Sequence, residues 1–173
     1  MPKKIFYPLV VIIVIFAGYY FGYDHGWERA VENNQEAVGE QQEPAEKRAS
    51  FLIFTNGVRR VFTAAMYHNL SADAYIEAAN PAIIQVKKSG ITWGRFFATL
   101  PFELSATCLV TGTGERFCNT ASRSLKFYLN GERTENFLET EIRDGDWALI
   151  SYGLENETRL SSELVQAKQI LDE

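Results

Sequence analysis

The two cysteines are the side chains most able to carry chemistry in this chain of 173 residues. Cys108 and Cys118 lie in two short strand-like segments, ATCLVT and ERFCN, which the loop at residues 112–114 joins. With this three-residue loop, Thr111 lies opposite Glu115 and Cys108 lies opposite Cys118. Directly opposed residues of an antiparallel pair fall within the ~4.4–6.8 Å Cα separation that a disulfide needs. The spacing therefore predicts a structural disulfide.

A redox-active thiol pair is the alternative use of Cys108 and Cys118. Their spacing is not the C-x-x-C of thiol oxidoreductases, and no nearby residue is arranged to lower the pKa of a thiol. The structural bridge is favoured, and a thiol-redox protein of the cell envelope stays the alternative function.

The remaining polar residues indicate no catalytic, metal or cofactor site. His25 and His68 have no His, Cys or carboxylate nearby at metal-ligand spacing, and no G-x-S-x-G motif is present. Asp144 and Asp146 flank a glycine, but a cation would need three or more further oxygen ligands. Turn formation explains these two aspartates, and a protein without enzymatic activity is favoured.

Basic doublets at residues 59–60 and 87–88 suggest a small anion site. Arg59 and Lys87, with Arg95 nearby, are the candidate anion contacts. Adjacent strand residues point to opposite faces of a sheet, so both members of a doublet cannot serve one site. Charged edge residues that deter strand pairing explain the doublets equally well.

An uncharged segment begins at Ile5 and ends at Tyr23. As a helix it spans roughly 28 Å, close to the ~30 Å hydrocarbon core of a bilayer. Lys3 and Lys4 precede it and acidic residues follow, which places the N-terminus in the cytoplasm and the rest of the chain outside. A cleaved signal peptide is the alternative, but aromatic residues occupy the positions where cleavage needs small side chains. We therefore predict a single-pass signal anchor at the cell membrane, with the lipid bilayer as a partner.

The anchor divides the chain into three predicted parts. Residues 1–23 are the cytoplasmic tip and transmembrane helix, residues 24–50 an acidic stalk, and residues 51–173 an exported globular domain. The row of Gly18, Gly22 and Gly26 permits a homodimer through close helix approach, although bulky tyrosines intervene. The net charge of −5 comes mainly from residues 1–46, so the near-neutral domain predicts no nucleic-acid partner.

Strand and turn signals dominate the predicted domain. Asn56-Gly57 and Asn130-Gly131 each favour a tight hairpin, because Asn-Gly tolerates positive φ at both central positions. Between these hairpins, Trp93, Phe96, Phe97 and Leu100 form one apolar face of a short helix that Thr92 caps. Residues 64–81 fit either a helix or a loop with one helical turn, and Leu164, Ala167 and Leu171 mark a C-terminal amphipathic helix. The pattern predicts an α+β fold, a small mixed sheet packed by a short helix.

The segment LKFYLNG, the Asp-Gly-Asp turn and the strand WALISYG together resemble the close of β-grasp (ubiquitin-like) domains. The order of Asn-Gly hairpin, ITWGRFF helix, Cys hairpin, KFYLNG and final strand is similar to uncharacterised membrane-anchored exported proteins of candidate-phyla-radiation bacteria. Those proteins carry His pairs where this chain has Gln85 and Lys87, which argues against a metal site here. The resemblance implies fold and location, and the family has no established activity. We therefore expect an extracytoplasmic binding or scaffolding module with an unknown envelope protein as its partner.

Overall fold

The computed structural model describes residues 44–154 and 158–172. These residues form an α+β domain with ten strands, two helices and two 3-10 turns. The strands are β1 (Pro44–Thr55), β2 (Val58–Arg60), β3 (Ala74–Glu77), β4 (Asn80–Lys88), β5 (Glu103–Leu104), β6 (Cys108–Val110), β7 (Arg116–Cys118), β8 (Arg123–Leu129), β9 (Glu132–Arg133) and β10 (Trp147–Leu154). The helices are α1 (Trp93–Phe97) and α2 (Leu160–Gln169), and the 3-10 turns cover Ala65–Tyr67 and Ile170–Asp172.

β1 lies in the middle of a mixed sheet of seven strands, ordered β3-β4-β1-β10-β8-β9, with β2 also paired to β1. β1 runs parallel to β10, with Ser50 opposite Trp147 and Thr55 opposite Tyr152. It is antiparallel to β4 along its first half and to β2 along its last residues. Both faces of this sheet are covered, which explains why the FLIF run of β1 is apolar at every position.

One face of the sheet carries an aromatic core. The apolar positions predicted for the short helix are confirmed, because Trp93, Phe96, Phe97 and Leu100 are all buried. The helix begins as predicted, since the Thr92 side chain accepts a hydrogen bond from the Arg95 N–H at 3.2 Å. A second sheet, of β5, β6 and β7, lies beside this core and contributes Leu109 to it.

The other face of the sheet is covered by the C-terminal helix. Leu52, Phe54 and Leu149 pack with Ala167 and Ile170 in a second apolar cluster. Leu164 and Leu171 pack against the same cluster, which confirms the predicted apolar face of the C-terminal helix.

Both Asn-Gly pairs form the predicted tight turns. Asn56 and Gly57 have φ of 55° and 78° between β1 and β2, and Asn130 and Gly131 have φ of 54° and 90° between β8 and β9. Positive φ at both central residues is the property that makes Asn-Gly favourable here.

The sheet begins earlier than the sequence indicates. The acidic stalk was expected to continue to residue 50, whereas β1 starts at Pro44 and residues 47–50 pair with β4. Lys47 and Arg48 give this half of β1 a polar sequence, but both residues pair with β4. The Arg48 N–H also donates to Asp144 Oδ1 at 2.8 Å. Pairing across the sheet therefore decides the structure of this segment.

The predicted anchor, from Ile5 to Tyr23, and residues 24–43 of the predicted stalk lie outside the described residues. Along residues 44–154 and 158–172, none of the helices has the length and apolar composition needed to cross a bilayer.

Candidate functional site: an apolar groove beside β2

A cavity of about 380 Å³ lies along β2, between this strand and the loop that joins β6 to β7. We call it the groove. Its lining comprises residues 58–62 and 111–113 together with Ile53, Met66, Tyr67, Phe102 and Leu109. Most of these side chains are apolar, so the groove suits an apolar ligand group.

The groove follows the edge of β2. Successive side chains of a strand point to opposite faces of the sheet, so a cavity on one face would contact every second residue. Residues 58–62 all line the groove. Because the lining includes every residue of β2 rather than every second one, the cavity lies at the edge of the strand.

The rim of the groove exposes large apolar side chains. Val58 is 63% exposed, Val61 is 64% exposed and Met66 is 53% exposed. Below the rim, Ile53 and Leu109 are buried in the aromatic core of the sheet. The groove therefore joins an apolar surface to the interior of the domain.

The disulfide closes the hairpin that forms the opposite wall of the groove. Cys108 and Cys118 are bonded, with a Cα–Cα distance of 4.0 Å, and they face each other in the β6–β7 register. The Thr111 N–H donates to the Glu115 carbonyl at 2.9 Å. The predicted disulfide and the predicted register of this hairpin are both confirmed.

Arg60 ties β2 to the disulfide hairpin, which comprises β6, β7 and their loop. Its Nε donates to Thr55 Oγ1 at 2.6 Å, and its Nη1 donates to Glu115 Oε2 at 3.2 Å. The guanidinium carbon lies 4.9 Å from the centre of the Phe117 ring, within the range of a cation–π contact. Arg60 therefore holds the two walls of the groove together.

Arg59 has a different environment from Arg60. It is exposed at the rim of the groove, opposite Phe54 in the β1–β2 register. Its guanidinium makes no hydrogen bond or ion pair with any residue of the described ranges. Arg59 is therefore a cation available to a ligand of the groove.

The structure gives the other two predicted anion contacts carboxylate partners. Lys87 Nζ lies 3.0 Å from Glu46 Oε1, and this hydrogen bond raises the pKa of Lys87 above its ordinary value. Arg95 Nη2 lies 3.5 Å from Asp73 Oδ2, which Lys88 Nζ also approaches at 3.8 Å. These contacts lie away from the lining of the groove, so an anion site shared by Arg59, Lys87 and Arg95 stays a prediction.

The two aspartates of the Asp-Gly-Asp turn have structural hydrogen bonds. The two carboxylate oxygens of Asp146 accept from Asn130 Nδ2 and from the Arg143 N–H, each at 2.8 Å. Asp144 accepts from the Arg48 N–H. These bonds connect the turn to β1 and β8, in agreement with the turn role expected for both aspartates.

No grouping of three His, Cys, Asp or Glu side chains suited to a metal ion occurs within residues 44–154 and 158–172. His68, which lies next to the 3-10 turn, instead donates from Nε2 to the Phe62 carbonyl at 2.8 Å. This bond fixes the segment that carries Met66 and Tyr67 to the residues that follow β2 and so shapes one side of the groove.

The sequence reasoning did not find the groove. The signal was present in VRRVF, where two valines flank the arginine doublet at what was expected to be a solvated edge. The second wall comes from the Cys hairpin, far along the chain, and strand patterns do not reveal such a juxtaposition.

No family model matches the chain, and neither a curated protein nor a solved structure is significantly similar to it. The groove and its contacts therefore carry the functional interpretation.

Proposed function

We propose that this chain is a single-pass, membrane-anchored extracytoplasmic protein whose domain binds a partner protein through the groove. The observation that carries the proposal is the exposure of Val58, Val61 and Met66 around an apolar cavity, beside the available guanidinium of Arg59. Contiguous exposed apolar surface rimmed by polar groups is typical of sites where a protein meets a partner.

The membrane anchor and the location outside the cytoplasm are part of the same proposal. The uncharged segment from Ile5 to Tyr23 and the preceding Lys3 and Lys4 support the anchor and its orientation. The disulfide between Cys108 and Cys118 supports the location, because such bonds persist in oxidising compartments.

We also propose that the domain is a β-grasp variant related to the exported proteins of candidate-phyla-radiation bacteria. The parallel pairing of β1 with β10 and the strand order β4-β1-β10-β8-β9 support a β-grasp sheet. The position of α1 between β4 and β8 also fits that fold. The additions to it are β2, β3, the small sheet and α2, and two of these additions form the groove.

Site-specific photo-crosslinking in membranes tests the binding function. The full chain would carry p-benzoylphenylalanine at Val58, and a matched variant would carry it at Lys168, an exposed residue of α2. We expect a discrete adduct with one other protein from position 58 and none from position 168, detected by mass spectrometry. Equal adducts from both positions, or none from either, would contradict a binding groove beside β2.

A further inference from the structure

We infer, on the basis of the proposed binding function, that an extended segment of the partner protein adds a strand to the outer edge of β2. The segment carries a carboxylate flanked on both sides by apolar residues. Its backbone pairs with β2, its carboxylate meets Arg59, and its apolar side chains enter the groove.

The outer edge of β2 has unpaired backbone groups. β2 pairs only with β1 among the described strands, with Val58 opposite Thr55 and Arg59 opposite Phe54. In a hairpin with a two-residue turn, the two residues next to the turn form both backbone hydrogen bonds with each other, and the next pair forms none. Val58 and Thr55 are therefore a hydrogen-bonded pair, and Arg59 and Phe54 are a non-hydrogen-bonded pair. The N–H and C=O of Arg59 therefore point away from β1, towards the groove. An added strand satisfies such groups by main-chain pairing.

The two faces of β2 require different side chains from this strand. Arg59 shares a face with Phe54, and Arg60 shares the opposite face with Ile53, on the side of the disulfide hairpin. A ligand residue opposite Arg59 lies on the Arg59 face, where a carboxylate forms a favourable cross-strand pair. Its two neighbours point to the other face, towards the apolar lining of the groove. The resulting ligand pattern is apolar, acidic, apolar.

A second copy of the chain fits the same edge poorly. Arg59 is the middle residue of β2, so a symmetric β2–β2 pair centred there places Arg59 opposite its own copy. Like charges directly opposite each other destabilise strand pairing. Charge complementarity therefore favours an acidic partner segment over self-association.

Peptide binding to the full chain in lipid nanodiscs tests the charge requirement. The probes are fluorescein-labelled ten-residue peptides with a central Val-Glu-Val or Val-Lys-Val, followed by fluorescence anisotropy. We expect the Glu peptide to bind about threefold to tenfold more tightly than the Lys peptide. Arg59→Glu should reverse this order, whereas Arg133→Glu, on the exposed edge strand β9, should leave it unchanged. Equal affinities for the two peptides, or the same change in both variants, would overturn the inference.

N-methylation of the peptide tests the backbone pairing. Successive amides of a strand point to opposite sides, so one of two neighbouring N-methyl groups faces β2 and the other faces solvent. We expect one methylated peptide to lose about tenfold in affinity and the other to bind as the parent does. Equal effects of the two methyl groups would overturn strand addition. A fatty acid that displaces the peptide, with an affinity independent of the residue at position 59, would reassign the groove to an acyl ligand.

The two proposals fail in different ways. If none of the peptides binds while position 58 still crosslinks to another protein, strand addition is wrong and the binding function stands. If neither peptide binding nor crosslinking is found, both are wrong. Circular dichroism of Arg59→Glu should match that of the unsubstituted chain, because Arg59 is exposed and makes no side-chain bond within the described ranges.

Discussion

The two Asn-Gly hairpins begin with the same turn and end in different edge strands. β2, after Asn56-Gly57, borders the groove, and exposed valines precede and follow its two arginines. β9, after Asn130-Gly131, consists of Glu132 and Arg133, which are both exposed. A short charged edge strand deters pairing with another chain, whereas an apolar edge invites it. The turn sets the local geometry, and the residues that follow it decide whether the edge is protected or available.

The side chains of the two turn asparagines have different roles. Asn130 donates to the buried carboxylate of Asp146 at 2.8 Å and accepts from the Trp147 N–H at 3.0 Å. Asn56 accepts one exposed hydrogen bond from Arg123 at 2.9 Å. The backbone N–H of each asparagine donates to a β10 carbonyl, at 2.7 Å for Asn56 and 2.9 Å for Asn130. The two additional side-chain bonds of Asn130 therefore fix the β9 hairpin more firmly than the β2 hairpin.

The largest expected effect is on the free energy of unfolding of the two asparagine variants. Asn130→Ala removes two hydrogen bonds, one of them to a buried carboxylate, and should cost about 3 kcal/mol when the cost of positive φ is included. Asn56→Ala, the matched control, should cost about 1 kcal/mol. Urea unfolding measures both values, and equal losses would show that the two turns are supported alike.

Removal of the disulfide should have the next largest effect. Replacing Cys108 and Cys118 together by serine should lower the free energy of unfolding by about 2–3 kcal/mol, because the open hairpin gains chain entropy in the unfolded state. We expect affinity for the partner to fall as well, since the hairpin forms one wall of the groove. If neither the free energy of unfolding nor the affinity for the partner changed, the β2 edge would not depend on the disulfide.

The thiol-redox alternative stays a prediction, and a redox titration of the full chain tests it. Mass spectrometry under non-reducing conditions follows the Cys108–Cys118 bond across the glutathione range of potentials. A structural bond should stay oxidised there, because structural disulfides have lower reduction potentials than the glutathione pool. Reversible reduction within that range would favour a redox role.

Arg60 and Arg59 provide a smaller and more local comparison. Arg60→Ala leaves the buried Thr55 hydroxyl without its partner and should cost about 1.5 kcal/mol. Arg59→Ala, the neighbouring control, should change the free energy of unfolding by less than about 0.5 kcal/mol. Thermal unfolding of both variants measures the difference, and a larger cost for Arg59 would contradict its assignment as a ligand contact.

Exposed charge pairs should contribute least to stability, and Glu141 provides the check. The hydrogen bond from Lys47 Nζ at 2.8 Å, with a second from the Gly90 N–H, lowers the pKa of Glu141 below its ordinary value. A depressed folded-state pKa contributes stability above the unfolded-state pKa of about 4.3, and this is lost as the pH falls further. Because Glu141 is 45% exposed, Glu141→Gln should cost less than about 0.5 kcal/mol at pH 7, and this cost should shrink as the pH falls below the unfolded-state pKa. If the stability difference between Glu141→Gln and the unsubstituted chain grew as the pH fell, this would contradict a lowered pKa of Glu141.

Local features of the fold were predictable from the sequence. The Asn-Gly turns, the apolar stripe of residues 93–100 and the Cys108–Cys118 register depend on neighbours close in the chain. Residues 64–81 were ambiguous for a physical reason. They contain one 3-10 turn, the strand β3 and the start of β4, and β3 is stabilised by pairing with β4, which short-range propensity does not encode.

Long-range features could not be predicted. The polar first half of β1 reads as solvated chain, yet Ala49 and Ser50 are fully buried between β4 and β10. The groove required β2 to meet a hairpin about 50 residues further along, to which Arg60 connects it through the salt bridge with Glu115 and the cation–π contact with Phe117. The charge doublets drew attention to Arg59 as a candidate contact, which stays a prediction, and the sequence did not show that Arg60 is bonded to Thr55 and Glu115.

The parallel pairing of β1 with β10 has a consequence for the timing of folding. Strand β10 is the last strand of the described residues to leave the ribosome, and residues 50–55 of β1 have no neighbour on that side until it does. Contacts between distant parts of a chain form slowly, because loop closure precedes any gain from pairing. The pairing at the centre of the sheet can therefore form only after most of the domain has been synthesised.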